Sequence, residues 1–405
     1  MSSNLSSHSW HLMSAVEVVE ALKSRRVTPL ELIDVVETRL KETDHLLHTT
    51  PITCFDRARK AARSLVCQKS PKPGYLYGLP ILIKDCHAVS GVRYTEGSPL
   101  HKNRIPENSD PIVLQLEEMG GIVVGKTNTP EFCAGSHSFN TLFETTRSPY
   151  DTRTSAGGSS GGSAAALAGT QVWLATGSDL GGSLRIPAAF CGVVGFRCTP
   201  GRIPRELPDS GSSQESKQPY HLYAVNGPLA RNVPDLALFL DSMTSNKSMH
   251  GGTAVGWEGY PIPPPISSPS QSDHFVSWQA VAQRGMVKPR HLRIGYSNLG
   301  LPVSEIFQSI CKDAAHILAN TMCNKCEKSF VSSSSERSTI HESNLIDVET
   351  CFDFSVAERC FHVFRADSFH KWFTVDYTKE EISTMKPEIQ WNIACHLIGN
   401  NPKTF

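Results

Sequence analysis

Neither sign of charge is in excess in this chain of 405 residues: 39 Lys and Arg side chains face 39 Asp and Glu, a formal net charge of zero. That balance removes the bulk electrostatics by which a protein holds a nucleic acid backbone or an anionic membrane. Long apolar runs are missing too. No stretch approaches the roughly 18 residues of a bilayer-spanning helix, so no integral membrane segment is expected. The opening MSSNLSSHSWHLMSAVEVVEALKSRR has no basic segment followed by an apolar one, so it does not read as a secretory signal. Metal-ligand spacing is also lacking. The 16 histidines form no HExxH, and Cys323-Asn-Lys-Cys326 has no second pair beside it. GGSSGG is not followed by GK[ST], and no GxGxxG follows a strand, so nucleotide cradles are not expected.

What is present fits a globular protein with a sizeable core. Apolar residues make up 39% and charged residues 19%. The 12 cysteines are scattered, several in apolar settings such as AAFCGVVGF around Cys191. They read as buried free thiols of a reducing, cytoplasmic compartment. Residues 1–12 read as a flexible tail. Ser14 with Glu17, and Thr28 with Pro29 and Glu31, predict two capped helices. A third helix is expected over 53–67. YGLPILIK at 77–84 then predicts a turn and a buried strand. Asp110–Gly120 predicts a capped helix with Ile112, Val113, Leu116 and Met119 on its apolar side, and Ile122–Val124 a second buried strand. Strand, helix and strand with short connections indicate an α/β layer fold.

Residues 155–201 are dense in glycine and serine but interleaved with AAALAG and IPAAFCGVVGF. A linker would lack those apolar runs, so tightly packed backbone in the core is expected. Further on, 206–219 and 257–274 read as loops. Helices are expected at 232–243, at 303–322 and over most of 353–398, and a strand at 292–296.

Three segments carry chemistry: GLPILIKD at 78–85, GGSSGG at 157–162 and DLGGSLR at 179–185. DLGGS offers the successive amides of Leu180, Gly181, Gly182 and Ser183 around two glycines, a concavity suited to the oxyanion of a tetrahedral intermediate. Ser183 closes that turn, which puts a nucleophile beside the hole. A serine needs a base, and no histidine lies in the three segments. Lys84 ends an apolar strand, where burial disfavours the ammonium. Its amine can then take a proton directly or through Ser159 or Ser160. Taken singly, each segment also has a plainer reading: a tight packing motif, a surface lysine, an anion-binding turn.

With GGIVVGKTNTPEF at 120–132, SAGGSSGGSAAALAG at 155–169 and ATGSDLGGSLRIPAAFCGVVGFRCTPGRIP at 175–204, the chain resembles the amidase signature family of Ser–Ser–Lys amide hydrolases. The likeness is strongest over about 75–204. It implies an α/β fold in which a large mixed central β-sheet is covered by helices on both faces. It further implies one amidase signature domain over 13–405, with a variable substrate-side region from about 245 to the last residue. KPEIQWNIACHLIGNNPKTF stops where such enzymes usually carry on, so that region is expected to be incomplete.

The roles implied are Lys84 as general base, Ser159 as the bridging serine after a cis peptide bond, and Ser183 as nucleophile. The amides of Leu180, Gly181, Gly182 and Ser183 form the hole, and Ser160, Asp179 and Arg185 orient the loop. Lys84 takes a proton from Ser159, Ser159 takes one from Ser183, and Ser183 attacks the amide carbonyl to form an acyl-enzyme. The substrate implied is a small-molecule amide, linear or cyclic, with no metal and no organic cofactor. A homodimer is the assembly considered. Ile186 stands where tRNA-dependent amidotransferase subunits carry glutamine in DTGGSIRQP, and YAVNGPLARNV replaces their SLDQIGP-type run. Both differences bring the chain nearer to general amidases and cyclic-amide hydrolases. Two other readings remain: a catalytically weak relative with a binding or scaffolding role, and a glutamine-dependent amidotransferase subunit.

Overall fold

The computed structural model describes residues 9–66, 71–200, 202–203, 224–244, 277, 279, 294–296, 303–327, 345–347 and 354–399. They fall into two compact units, Met1–Gln283 with Thr374–Trp391, and Arg284–Phe373 with Asn392–Phe405.

The first unit opens on α1 (Ala15–Lys23) and α2 (Pro29–Leu47), both started by the reciprocal Ser/Thr–Glu capping boxes expected from the sequence. Trp10–Leu12, within the stretch read as a tail, form a 3-10 turn. Trp173 Nε1 donates to Trp10 O at 3.2 Å and Arg231 Nη1 to His11 O at 2.7 Å, so this backbone is tied down. Next come β1 (Ile52–Thr53), α3 (Phe55–Ser64), β2 (Pro80–Lys84), α4 (Pro111–Glu118) and β3 (Ile122–Thr127). Asp110 precedes α4 as expected, but its carboxylate does not cap the helix. It accepts from Ala88 N at 2.8 Å, fastening the loop after β2 instead. The strand expected at 122–124 runs three residues further, to Thr127.

A hairpin, β4 (Arg147–Ser148) and β5 (Asp151–Ser155), leads to α5 (Gly161–Ala168), β6 (Leu174–Asp179), α6 (Arg185–Cys191), β7 (Val194–Gly195), β8 (Val225–Ala230) and α7 (Val233–Met243). Asn232 caps α7 through Asp235 N at 2.9 Å. Six strands form one mixed sheet in the order β1-β3-β2-β6-β8-β7. β2 is parallel to β3 and β6, while β1, β8 and β7 join antiparallel. Successive strand residues point to opposite faces, and every residue of β2, β3 and β8 is buried. Both faces of the sheet centre are therefore covered. Ile81, Leu82 and Ile83 are fully buried, each worth roughly 1.5–3 kcal/mol relative to exposure.

The glycine- and serine-rich stretch is packed backbone, as its apolar runs predict. Residues 161–167 of α5 are buried. A Cβ on Gly162 would lie 2.4 Å from Asn128 N, so only glycine lets α5 come this close to the end of β3.

After β9 (Ile294–Tyr296) come α8 (Glu305–Glu327), β10 (Leu345–Asp347) and α9 (Phe354–Asp376), then α10 (Lys379–Thr384) and α11 (Pro387–Gly399). In the second unit β9 and β10 pair in parallel. Phe369 and Phe373 are buried with ring centroids 5.5 Å apart, so these late aromatics serve as core. Cys323 and Cys326 lie on α8. The loops expected at 206–219 and 257–274 lie outside the described residues.

Candidate active site

β2 delivers Lys84 to the centre of the sheet. Its backbone N donates to Thr176 Oγ1 at 2.9 Å. Its side chain is fully buried, with Nζ 2.6 Å from Ser159 Oγ and 2.9 Å from Ser178 Oγ. Thr176 and Ser178 are two apart on β6 and so face the same side. One strand edge thus fixes both the backbone and the amine of Lys84. Ser159, also buried, follows a cis Gly158–Ser159 peptide bond.

The loop carrying Ser159 is held from three directions. Ser138 Oγ donates to Ser159 O at 3.2 Å and accepts from Gly161 N at 3.0 Å. Ser160 Oγ lies 3.4 Å from Ser178 O and accepts from Ser178 N at 3.3 Å. Ser160 N donates to Ser183 O at 3.2 Å, which ties the GGSSGG loop to the DLGGS turn.

Asp179 organises that turn. Its carboxylate accepts from Gly182 N at 2.9 Å and Leu184 N at 3.2 Å. Arg185 grips both of its oxygens at 3.0 Å, and Arg197 donates to Oδ1 at 3.0 Å and to the Asp179 carbonyl. Burial pushes the carboxyl up, but the Arg185 bonds and the two amides outweigh it and bring its pKa down to about 2. Gly182, at φ +110°, supplies the backbone conformation the turn requires.

The expected residues are therefore brought together as two coupled groups. Lys84 and Ser159 touch directly. Ser160 and Ser183 touch through backbone, and Asp179, Arg185 and Gly182 through the turn. The Ser159 and Ser183 hydroxyls share no hydrogen bond. Ser183 is half-buried and Gly181 exposed, so the turn faces outward. The Gly182 amide, expected in the hole, is spent on Asp179. Among the described residues, the amides of Leu180, Gly181 and Ser183 are engaged by no backbone or side-chain acceptor.

Three further residues of the site, Ser178, Ser138 and Arg197, were not expected from the sequence. Ser178 has a local signal: on a strand ending in Asp179, it is the hydroxyl two beyond Thr176. Ser138 and Arg197 come from distant segments with no local signal. The GKTNTPEF run serves as scaffold. Lys126 forms a fully buried ion pair with Asp85 at 2.6 Å, and its ammonium lies 4.4 Å from the Tyr94 ring centre. Glu131 accepts from Ser98 Oγ at 2.7 Å and Lys386 N at 2.8 Å. Among the described residues no group of three or more His, Cys, Asp or Glu is placed to hold a metal ion, and no helix is long and apolar enough to cross a membrane.

Among solved structures, a bacterial aryl acylamidase of the amidase signature family has the same fold, with TM-score 0.70 at 23% identity over 95% of this chain and 72% of that one. A 6-aminohexanoate cyclic dimer hydrolase in complex with its substrate gives 0.69 at 19% identity, over 96% and 72%. Among curated proteins, a glutamyl-tRNA(Gln) amidotransferase subunit from Natranaerobius thermophilus is 38% identical over 243 residues, 59% of this chain and 48% of that protein. Its counterpart from Carboxydothermus hydrogenoformans is 36% identical over 57% of this chain and 46% of its own length. The chain thus spans about half the length of these curated relatives. The Amidase family model matches residues 31–322, well over half of the sequence, and the chain belongs to that family.

Proposed function

We propose that this protein hydrolyses carboxylic acid amides through an acyl-enzyme on Ser183, with Ser159 and Lys84 as the proton relay. The observation that carries the reading is the 2.6 Å approach of Lys84 Nζ to Ser159 Oγ, both side chains buried. A lysine amine with its lone pair toward Ser159 still has N–H groups for Ser178 Oγ at 2.9 Å. It can therefore accept a proton without losing its anchor. Substrate draws Ser183 Oγ against Ser159, completing the relay, since such contacts commonly tighten only in the reactive complex. Ser183 attacks the carbonyl, and the Leu180, Gly181 and Ser183 amides receive the oxyanion. The relay returns the proton to the leaving nitrogen, and water then releases the acid.

Intact-mass measurement after incubation with a fluorophosphonate tests this, beside Ser183→Ala. One adduct on the wild type and none on the variant is the expected result. A folded wild type that takes up no reagent overturns the reading.

The amidotransferase relatives favour a second reading, a subunit that draws ammonia from glutamine. Against it, Ile186 places an apolar side chain at the rim of the turn, where a Cβ on Gly182 would meet its Cδ1 at 2.8 Å. Glutamine-dependent ammonia release in the presence of a partner chain would establish that second reading over the first.

A further inference from the structure

Two thiols stand beside the Lys84 site with no part in the relay. Cys86 follows Lys84 by two residues, and its sulfur lies 3.7 Å from Ser178 Oγ, the hydroxyl that anchors Lys84 Nζ. Cys133 is hydrogen-bonded to Cys86, and its sulfur lies 3.2 Å from Thr129 Oγ1. It sits in a tight turn in which Phe132 (φ 50°) and Cys133 (φ 58°) are both left-handed. Such backbone is uncommon for residues other than glycine. The turn is held by Phe132 N donating to Glu96 O at 2.7 Å and Ala134 N to Glu131 O at 3.0 Å. Both thiols are half-buried rather than sealed.

Other described cysteines lack this setting. Cys54 and Cys191 turn their sulfurs to backbone carbonyls, Val123 O at 3.4 Å and Ala156 O at 3.6 Å. Burial pushes the thiols of Cys54, Cys191 and Cys198 up to about 11, about 12 and about 12. Within the pair, the Cys86 hydrogen bond, then burial, hold the proton on Cys133, while the nearby Lys84 acts the other way.

We propose that Cys86 and Cys133 are a peroxide-oxidised thiol pair whose disulfide disables the Lys84 site, a regulation that rests on the function proposed above. In the first step Cys86 sulfur attacks hydrogen peroxide, the O–O bond breaks, and sulfenic acid and one water form. In the second, the Cys133 thiol attacks that sulfur, the S–O bond breaks, and a second water leaves with the disulfide made. The two electrons removed from the thiols reduce the peroxide. The new bond, about 2.05 Å long, draws Cys86 toward the Phe132–Cys133 turn and off Ser178. Because Cys86, Asp85 and Lys84 are consecutive, the strand end that aims Nζ at Ser159 moves with it.

The test uses the full chain, reduced and then treated with hydrogen peroxide, alkylated, digested and mapped by mass spectrometry. A cross-linked Cys86–Cys133 peptide, lighter by two hydrogens than the separate pair, is expected. Fluorophosphonate labelling of Ser183 should fall at least about tenfold on oxidation and return with dithiothreitol. Cys133→Ser, whose side-chain hydrogen bonds go to Thr129 and Cys86 rather than to Lys84 or the serines, should label normally and resist peroxide. Cys86→Ala should resist it too, with circular dichroism confirming that both variants fold. Absence of the cross-linked peptide, or full labelling of the cross-linked protein, overturns the proposal. A reduced wild type that never labels instead counts against the acyl-enzyme, and the peptide map then decides the thiol pair alone.

Discussion

Lys84 Nζ and Ser159 Oγ stand 2.6 Å apart with both side chains shut off from water. A lysine placed in a sheet centre for packing alone would leave an ammonium to be paired with a carboxylate. Lys126, one strand away, is paired in that way with Asp85. Lys84 has hydroxyls instead, an arrangement that suits proton transfer better than charge storage.

Lys84→Met should slow fluorophosphonate labelling of Ser183 by about 10²–10⁴-fold, the usual contribution of a positioned base. The methionine matches the buried volume and removes a polar group, so thermal unfolding should shift little. Labelling at the wild-type rate would remove Lys84 from the relay.

Much of this is legible in the amino-acid sequence. The capping boxes at Ser14 and Thr28, the all-apolar start of β2 and the packed glycine stretch follow from local rules. Lys84, Ser159 and Ser183 stand out because each hydroxyl or amine interrupts an apolar or glycine-rich run. The use of the Gly182 amide by Asp179 is not legible, since four amides in a row look equivalent until a carboxylate selects among them. Ser138 and Arg197 reach the site from other segments, which no periodicity reports. Asp110 has the sequence signature of a helix cap, but the Ala88 amide claims its carboxylate, a choice made by tertiary contact.

Ser178→Ala removes the second anchor of Nζ at 2.9 Å and leaves the 2.6 Å contact to Ser159 in place. The expected effect is a loss of about tenfold in labelling rate, the worth of one hydrogen bond to a charged or strongly polar group. Ser178→Thr should recover most of it, which a purely structural role for a half-buried serine would not require.

Gly162→Ala should destabilise by about 1–3 kcal/mol or more, because its Cβ would press on the backbone of Asn128 and on Thr49 O at 2.7 Å, atoms that cannot rotate away. Gly91→Ala is the control. Its φ is +72° but nothing lies within 4 Å of the added carbon, so only the left-handed penalty of about 1 kcal/mol applies. Urea unfolding of the two variants measures the difference. Equal midpoints would mean that α5 can move off β3.

Asp179 makes the DLGGS turn sensitive to acid in a defined direction. Its carboxyl is held at about 2 in the folded chain against an ordinary 3.8. A depressed folded value means that the ionised form stabilises the fold. That contribution is complete above the ordinary value and is lost as pH falls toward 2. The shift corresponds to about 2 kcal/mol at neutral pH. Asp179→Asn should therefore lower stability by about that amount at pH 7. The gap between variant and wild type should narrow steadily below pH 4 as the native carboxylate takes up its proton. Arg185 is more than half exposed, so Arg185→Gln should cost less than Asp179→Asn, and more of its effect should vanish in high salt. Urea unfolding from pH 7 down to pH 3 separates the two. A constant gap across that range would show that the Asp179 charge does not hold the turn, whereas a closing gap with slowed Ser183 labelling at pH 7 would tie the carboxylate to the geometry of the nucleophile.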